Sequence, residues 1–394
     1  MSVIMRLLRV IPSISPATGG PIEALIQMQQ GLGRLGIFLD VVSCDDPNSI
    51  YVKNTVLKRV NAVGPSQLGT YGFTPKLQPW LNENISAYDA MIVDGLWQYH
   101  SYSARKIAII YQIPYFVYSH GMLDPYFNKA YPLKYFKKLL YWLLVERFVL
   151  KDAKAVIFTC EDEKLFARKS FVPYKANEAV SEFGYGLSDP PANGDHLAWQ
   201  FLQKNPSLHN KRIVLFLSRI HEKKGCDLLL EAFARIVGGD EGLHLAMAGP
   251  DQNGWVEALK ERAIVLGIDH KITWLGMLQG EDKWGAFYAC EVFCLPSHQE
   301  NFGIVVAEAL GCGKPVLISD KVNIWHEIEV SQAGFVDEDT IEGTVLNLNR
   351  WLSLSKNEYD QMALRAKECF SDRFHIDKAA NRLVEIICEN TNNC

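Results

Sequence analysis

The sequence predicts an α/β protein of two domains, each a parallel sheet covered by helices on both faces. Three observations carry this. Short apolar runs alternate with longer amphipathic ones from end to end, the strand–helix–strand rhythm of parallel sheets. The chain has 394 residues, which at roughly 150 per domain is enough for two or three domains with large cores. A stretch rich in Pro, Gly, Asp and Asn at 187–195, followed by polar 202–210, divides it into halves that each hold a run of strands.

The first half places strands at 5–11, 38–44, 89–93, 114–119 and 155–159, with a helix over 22–30. The second places them at 213–218, 243–248, 272–275, 292–295 and 315–319, with helices over 227–237, 255–266, 302–311 and 343–354. Ligands on such sheets sit at the carboxyl ends of the strands. The composition is ordinary for a soluble globular chain, with 48% apolar and 22% charged residues. A net charge of −5 supplies no basic field for a nucleic-acid backbone. Nine scattered cysteines without a CxxC argue against a disulfide framework or a zinc site, and suit a cytoplasmic location. No apolar stretch approaches the ~20 residues of a membrane span. Arg6 and Arg9 interrupt the N-terminal run, against a signal peptide.

Several motifs point to a bound phosphate. Gly19-Gly20-Pro21 follows the first strand and opens a helix, where glycines let backbone amides approach an anion. By contrast Gly31-x-Gly33-x-x-Gly36 comes after the helix 22–30, so its glycines are read as ending that helix rather than cradling a nucleotide. Arg219 and Lys224-Gly225 follow the first strand of the second half, in reach of a diphosphate. His120-Gly121 directly follows the strand 114–119. In Glu300-Asn301-Phe302-Gly303-Ile304-Val305-Val306-Ala307-Glu308, Asn301 is read as the N-cap of helix 302–311. Glu300 then stands just outside the helix and Glu308 about 12 Å further along its axis. The helix start between them offers amides and a positive dipole end. That separation also excludes a retaining glycosidase, whose carboxylates sit about 5 Å apart. Asp337-Glu338-Asp339 is a formal DxD, read as acidic decoration before helix 343–354 rather than a metal site.

The order of these motifs, with Gly249-Pro250 and Pro296-Ser297, resembles the GT4 family of retaining glycosyltransferases, of bacterial exopolysaccharide and O-antigen type. The likeness is most specific over 272–318. It implies the GT-B architecture, two Rossmann-like domains with a donor-binding cleft between them. The domains would be 1–190 on the acceptor side and 191–375 for the nucleotide-sugar, with 376–394 a C-terminal helix crossing back to the first. Residue by residue, Glu300 would hold donor-sugar hydroxyls and Glu308 the ribose. Arg219 and Lys224 would bind the diphosphate, aided by Gly20, in the loop with Gly19, and the amides of Phe302, Gly303, Ile304 and Val305. His120 would contact the sugar or phosphate at the reacting centre. The base would rest on backbone near Gly276, Met277 and Leu278, beside Gly249. One departure falls on the acceptor side, where Asp94-Gly95-Leu96-Trp97 stands in place of the His-Gly-Leu-Trp common among related polysaccharide enzymes.

The implied activity is transfer of a hexose from a nucleotide-sugar to a growing polysaccharide, free or lipid-linked, with no metal and no cofactor. UDP-glucose ranks first as donor and GDP-mannose second. A nucleotide-sugar epimerase of the same fold and a non-catalytic sugar-nucleotide-binding homologue are the alternatives. The segment 134–147 (KYFKKLLYWLLVER) reads as a helix packed on the first sheet with a basic edge, with peripheral contact at the inner face of the plasma membrane as the other reading.

Overall fold

The computed structural model describes residues 5–16, 20–126 and 132–391, with 132–134 described by backbone alone. It divides into two compact units, Met1–Ser188 with His375–Cys394, and Asp189–Phe374.

The first unit is built on seven parallel strands: β1 (Arg6–Ile11), β2 (Phe38–Ser43), β3 (Val60–Ala62), β4 (Ala90–Asp94), β5 (Tyr115–Tyr118), β6 (Ala155–Phe158) and β7 (Glu178–Val180). Their order is β3-β2-β1-β4-β5-β6-β7. Successive residues of a strand face opposite sides. Leu8 and Val10 of β1 therefore join one apolar layer with Val42, Val93 and Val117, and Leu7 and Ile11 join the other with Val41, Ile92 and Phe116. The helix Ile376–Glu389 completes that second layer with Ile376, Leu383 and Ile387. It lies against the helix Gly20–Arg34, where a Cβ on Gly31 would fall 2.9 Å from the Ile376 side chain and 3.1 Å from that of Ala380. Gly31 and Gly33 thus sit inside the helix they were expected to end. The left-handed turn after it belongs to Gly36, with φ at 75°.

The second unit repeats the plan with β8 (Arg212–Leu217), β9 (Leu243–Ala248), β10 (Ile272–Gly276), β11 (Val292–Leu295), β12 (Val316–Ser319) and β13 (Gly334–Asp337), ordered β10-β9-β8-β11-β12-β13. Strand order therefore reverses between β1 and β4 in one sheet and between β8 and β11 in the other. These are the switch points at whose carboxyl ends ligands bind.

Three strands escaped the sequence. β3, β7 and β13 are three or four residues long and lie at sheet edges, too short and too exposed to show an apolar run. The helix expected over 302–311 begins two residues later, as Ile304–Gly311. Its N-cap is Gly303, in the left-handed region at φ 77°, and not Asn301. The 134–147 segment is helical at Pro132–Tyr141, passes through a π-turn at Trp142–Glu146 and continues as Arg147–Asp152. Trp142 and Glu146 are buried and Tyr135 and Leu139 pack against the core of the first unit as expected, but Phe136, Leu140 and Leu144 on the other side are exposed. Among the described residues no helix is long and apolar enough to cross a membrane.

Candidate active site

In the second unit, β8 delivers Ser218 and Arg219 at its carboxyl end, and the following turn delivers Lys224. Gly225 makes that turn possible. It lies at φ 67°, and a Cβ there would sit 2.0 Å from the Pro296 carbonyl, so only glycine lets the turn press onto the end of β11. As a result Lys224, buried, forms an ion pair with Glu300. Glu300 is fixed by its own backbone, its N–H donating to the Lys321 carbonyl at 2.9 Å and its carbonyl accepting from the Asn323 N–H at 3.0 Å. Arg219 donates to the Gln252 side chain at 2.9 Å. Gly249 is forced by close approach as well, because a Cβ there would fall 1.6 Å from the Ser218 carbonyl.

Glu308 is buried on the helix Ile304–Gly311 and accepts from Lys283 Nζ at 2.6 Å. Lys283 did not emerge from the sequence, because nothing in the spacing ties it to a residue 25 positions later. Gly303, Ile304 and Val305 form the start of that helix, whose first amides lack helical acceptors. The Phe302 ring is buried edge-on against Phe374, so Phe302 has only its backbone to offer a ligand. Asn301 lies in the preceding bend. A hollow of about 320 Å³ opens beside Gly249 and Gly276, walled by Ile220, Met247, Pro250, Trp274 and Met277. Leu278, half-buried, is not among its walls. Of the DxD, Asp337 pairs with Arg350 at 3.3 Å, and Asp339 pairs with His298 at 2.9 Å and Lys321 at 3.8 Å. Among the described residues no three His, Cys, Asp or Glu cluster as a metal site would require.

In the first unit Gly20 opens its helix as expected, while Gly19 lies outside the described residues. His120 and Gly121 are both left-handed, at φ 50° and 70°. Such a conformation costs a non-glycine residue on the order of 1 kcal/mol or more, and here two buried carboxylates hold it. Glu163 accepts from Ser119 Oγ at 2.5 Å and from the Gly121 N–H at 2.7 Å. Asp94 accepts from His120 Nε2 at 2.7 Å and is gripped bidentately by Arg9. Burial raises the Asp94 carboxyl, but the Arg9 charge and the bonds from His120 and Arg9 outweigh it and hold it well below the usual range. Neighbouring His100, its ring bonded to the Asp94 carbonyl at 2.7 Å, is pushed down to about 4 chiefly by burial and stays neutral. Sequence reasoning missed Arg9 and Glu163. The one signal was a charge at Arg9 in the middle of an apolar strand buried on both faces, which demands a partner.

A lysine, an arginine and a helix start thus stand together at the switch point of a Rossmann-like unit, a cationic setting that suits an anion. Residues 198–368 match the family model of Glycosyl transferases group 1, so the second unit is a group 1 glycosyltransferase domain, GT4-like in its motifs. The chain is similar to the D-inositol 3-phosphate glycosyltransferase of Saccharomonospora viridis, at 37% identity over 112 residues, 27% of this chain and 26% of that one. It is also similar to the mannosylfructose-phosphate synthase of Agrobacterium fabrum, at 32% over 123 residues, 30% of this chain and 27% of that one. The matched stretches thus span about a quarter of those relatives' own length. Among solved structures it resembles Anabaena Alr3699/HepE in complex with UDP and glucose, with a TM-score of 0.75 at 18% identity over 98% of this chain and 100% of that one. At that identity the likeness is one of fold, the two Rossmann-like domains of the GT-B class.

Proposed function

We propose that this protein is a retaining hexosyltransferase that moves glucose from UDP-glucose to a growing polysaccharide acceptor, free or lipid-linked. The observation that carries the reading is the Lys224–Glu300 pair at the carboxyl ends of β8 and β11. It sets a phosphate-binding cation against a sugar-binding carboxylate inside a group 1 domain. HepE, solved with UDP and glucose, supports UDP-glucose as the first donor to test.

On this reading the uracil lies in the Trp274–Met277 hollow, the ribose against Glu308, and the diphosphate between Arg219, Lys224 and the helix start at Gly303–Val305. Arg219 grips two oxygens in a fork and Lys224 acts as a point charge. Donor binding draws Lys224 partly away from Glu300 and frees that carboxylate for sugar hydroxyls. The acceptor attacks from the face the diphosphate leaves, and the departing phosphate oxygen takes its proton. The protein contributes position and charge stabilisation. Two cations and a helix dipole supply that charge, so the reading requires no divalent metal.

The test is a panel of UDP-glucose, UDP-galactose, UDP-N-acetylglucosamine and GDP-mannose in excess EDTA. UDP-glucose should raise the melting temperature and release UDP in the presence of glycan acceptor. Glu300→Gln should cut release by on the order of a hundredfold while UDP affinity holds or rises, because Lys224 loses its competitor. If release is lost in EDTA and restored by Mn²⁺ only while Asp337 and Asp339 are intact, the site and the reading both fall.

A further inference from the structure

Both ring nitrogens of His120 are already engaged within the first unit. Nε2 meets Asp94 Oδ1 at 2.7 Å and Nδ1 meets Tyr185 Oη at 2.7 Å. The ring lies between Tyr118 and Tyr185, centroids 5.8 and 5.5 Å away and nearly parallel to both. Behind it Arg9 donates from Nε and Nη2 to the two oxygens of Asp94 and sits over the Tyr118 ring at 5.0 Å. Arg9, Asp94, Tyr118 and Tyr185 are buried, and the His120 side chain is 8% exposed.

From this geometry we infer that Arg9, Asp94 and Tyr185 are positioning residues that lock the His120 imidazole and the left-handed His120–Gly121 turn. Asp94, ionised against Arg9, can only accept, so His120 Nε2 must carry a proton. Tyr185 stays protonated, its hydroxyl pushed well above 10 first by burial and then by the Glu163 and Asp94 charges. Both ring nitrogens are held within the unit, Nε2 by the Asp94 carboxylate and Nδ1 by the Tyr185 hydroxyl, and neither is left to bind a ligand. His120 serves as the anchor of the turn, and what the turn presents is its main chain. The Asp94 that departs from the related His-Gly-Leu-Trp motif is thus matched by Arg9, 85 residues earlier. The expected effect on turnover rests on the proposed function together with the GT4 resemblance, which implies that His120 stands at the reacting centre.

The test combines three variants with two readouts. Tyr185→Phe removes one hydroxyl and keeps the ring. Asp94→Asn keeps the shape and removes the charge. Leu81→Ala, in the buried core of the same unit, serves as a control of comparable melting loss. Tyr185→Phe should lower UDP release from UDP-glucose about tenfold in kcat with KM and UDP affinity within about twofold, and Asp94→Asn about a hundredfold, while Leu81→Ala keeps kcat. Ring ¹⁵N spectra of the parent should show His120 protonated on Nε2 and hydrogen-bonded on Nδ1, with both signals moved in the variants. Should Asp94→Asn not fold, Tyr185→Phe decides alone. Unchanged kcat in a folded Tyr185→Phe, or a parent ring with mixed tautomers, overturns the clamp. A parent that releases no UDP sinks the proposed function instead, and the ring spectrum still decides the clamp.

Discussion

Glu308 and Lys283 are paired in the protein before any ligand binds. A carboxylate this buried is stable as an ion only with a cation beside it, and Lys283 Nζ at 2.6 Å supplies one. The pair also aims Glu308, so that on the proposed function the ribose would meet a fixed acceptor. Glu308→Ala should weaken UDP by about 1.5–3 kcal/mol, roughly one to two decades in affinity. Lys283→Met should weaken it by a smaller step, about three- to tenfold, because the acceptor remains but is no longer aimed. Titration calorimetry with UDP reads both, and parental affinity in Glu308→Ala ends the ribose assignment. Lys283 shows where reading residues from sequence stops. Glu300, Lys224 and Glu308 stood out through local spacing and motif. Their partners lie 76 and 25 positions away along the chain, a relation no local pattern carries.

At the scale of elements, interior strands were legible because burial on both faces makes them continuous apolar runs, and so was the five-residue edge strand β10, whereas the shorter edge strands β3, β7 and β13 were not. The π-turn Trp142–Glu146 was equally invisible, since it is a packing outcome and has no signature of its own. It buries Glu146 completely, and burial pushes that carboxyl from 4.5 up to about 8, against the opposing pull of the Trp97 backbone, the Ser101 hydroxyl and Lys138. The folded protein therefore keeps a proton that the unfolded chain gives up above about 4.5. Stability from this group is complete below that pH and is lost as pH rises to about 8. Glu146→Gln imitates the protonated form at every pH. Its stability relative to the parent should rise between pH 5 and pH 8 by about 3–4 kcal/mol in urea melts. A difference that stays flat across that interval would mean Glu146 is ionised in the fold.

For the whole molecule the open question is where it works. Phe136, Leu140 and Leu144 recur at i, i+4 and i+8 and are 68%, 62% and 67% exposed, an apolar stripe on one side of the Pro132–Glu146 segment. Lys137 is exposed beside it, while Lys138 turns back over the Trp97 ring at 4.8 Å. Large apolar side chains facing water next to basic residues fit an anionic bilayer surface, where a lipid-linked acceptor resides. We expect the protein to sediment with vesicles of phosphatidylglycerol and phosphatidylcholine, and to be released in part by about 0.5 M salt as the charge attraction is screened. The triple replacement Phe136→Ser, Leu140→Ser and Leu144→Ser should lower vesicle affinity at least about tenfold, since each side chain contributes roughly 1–2 kcal/mol of burial. These side chains already face solvent, so the melting temperature should hold. Equal sedimentation of the variant, or none by the parent, would remove the membrane from the proposed function and leave the donor site as it stands.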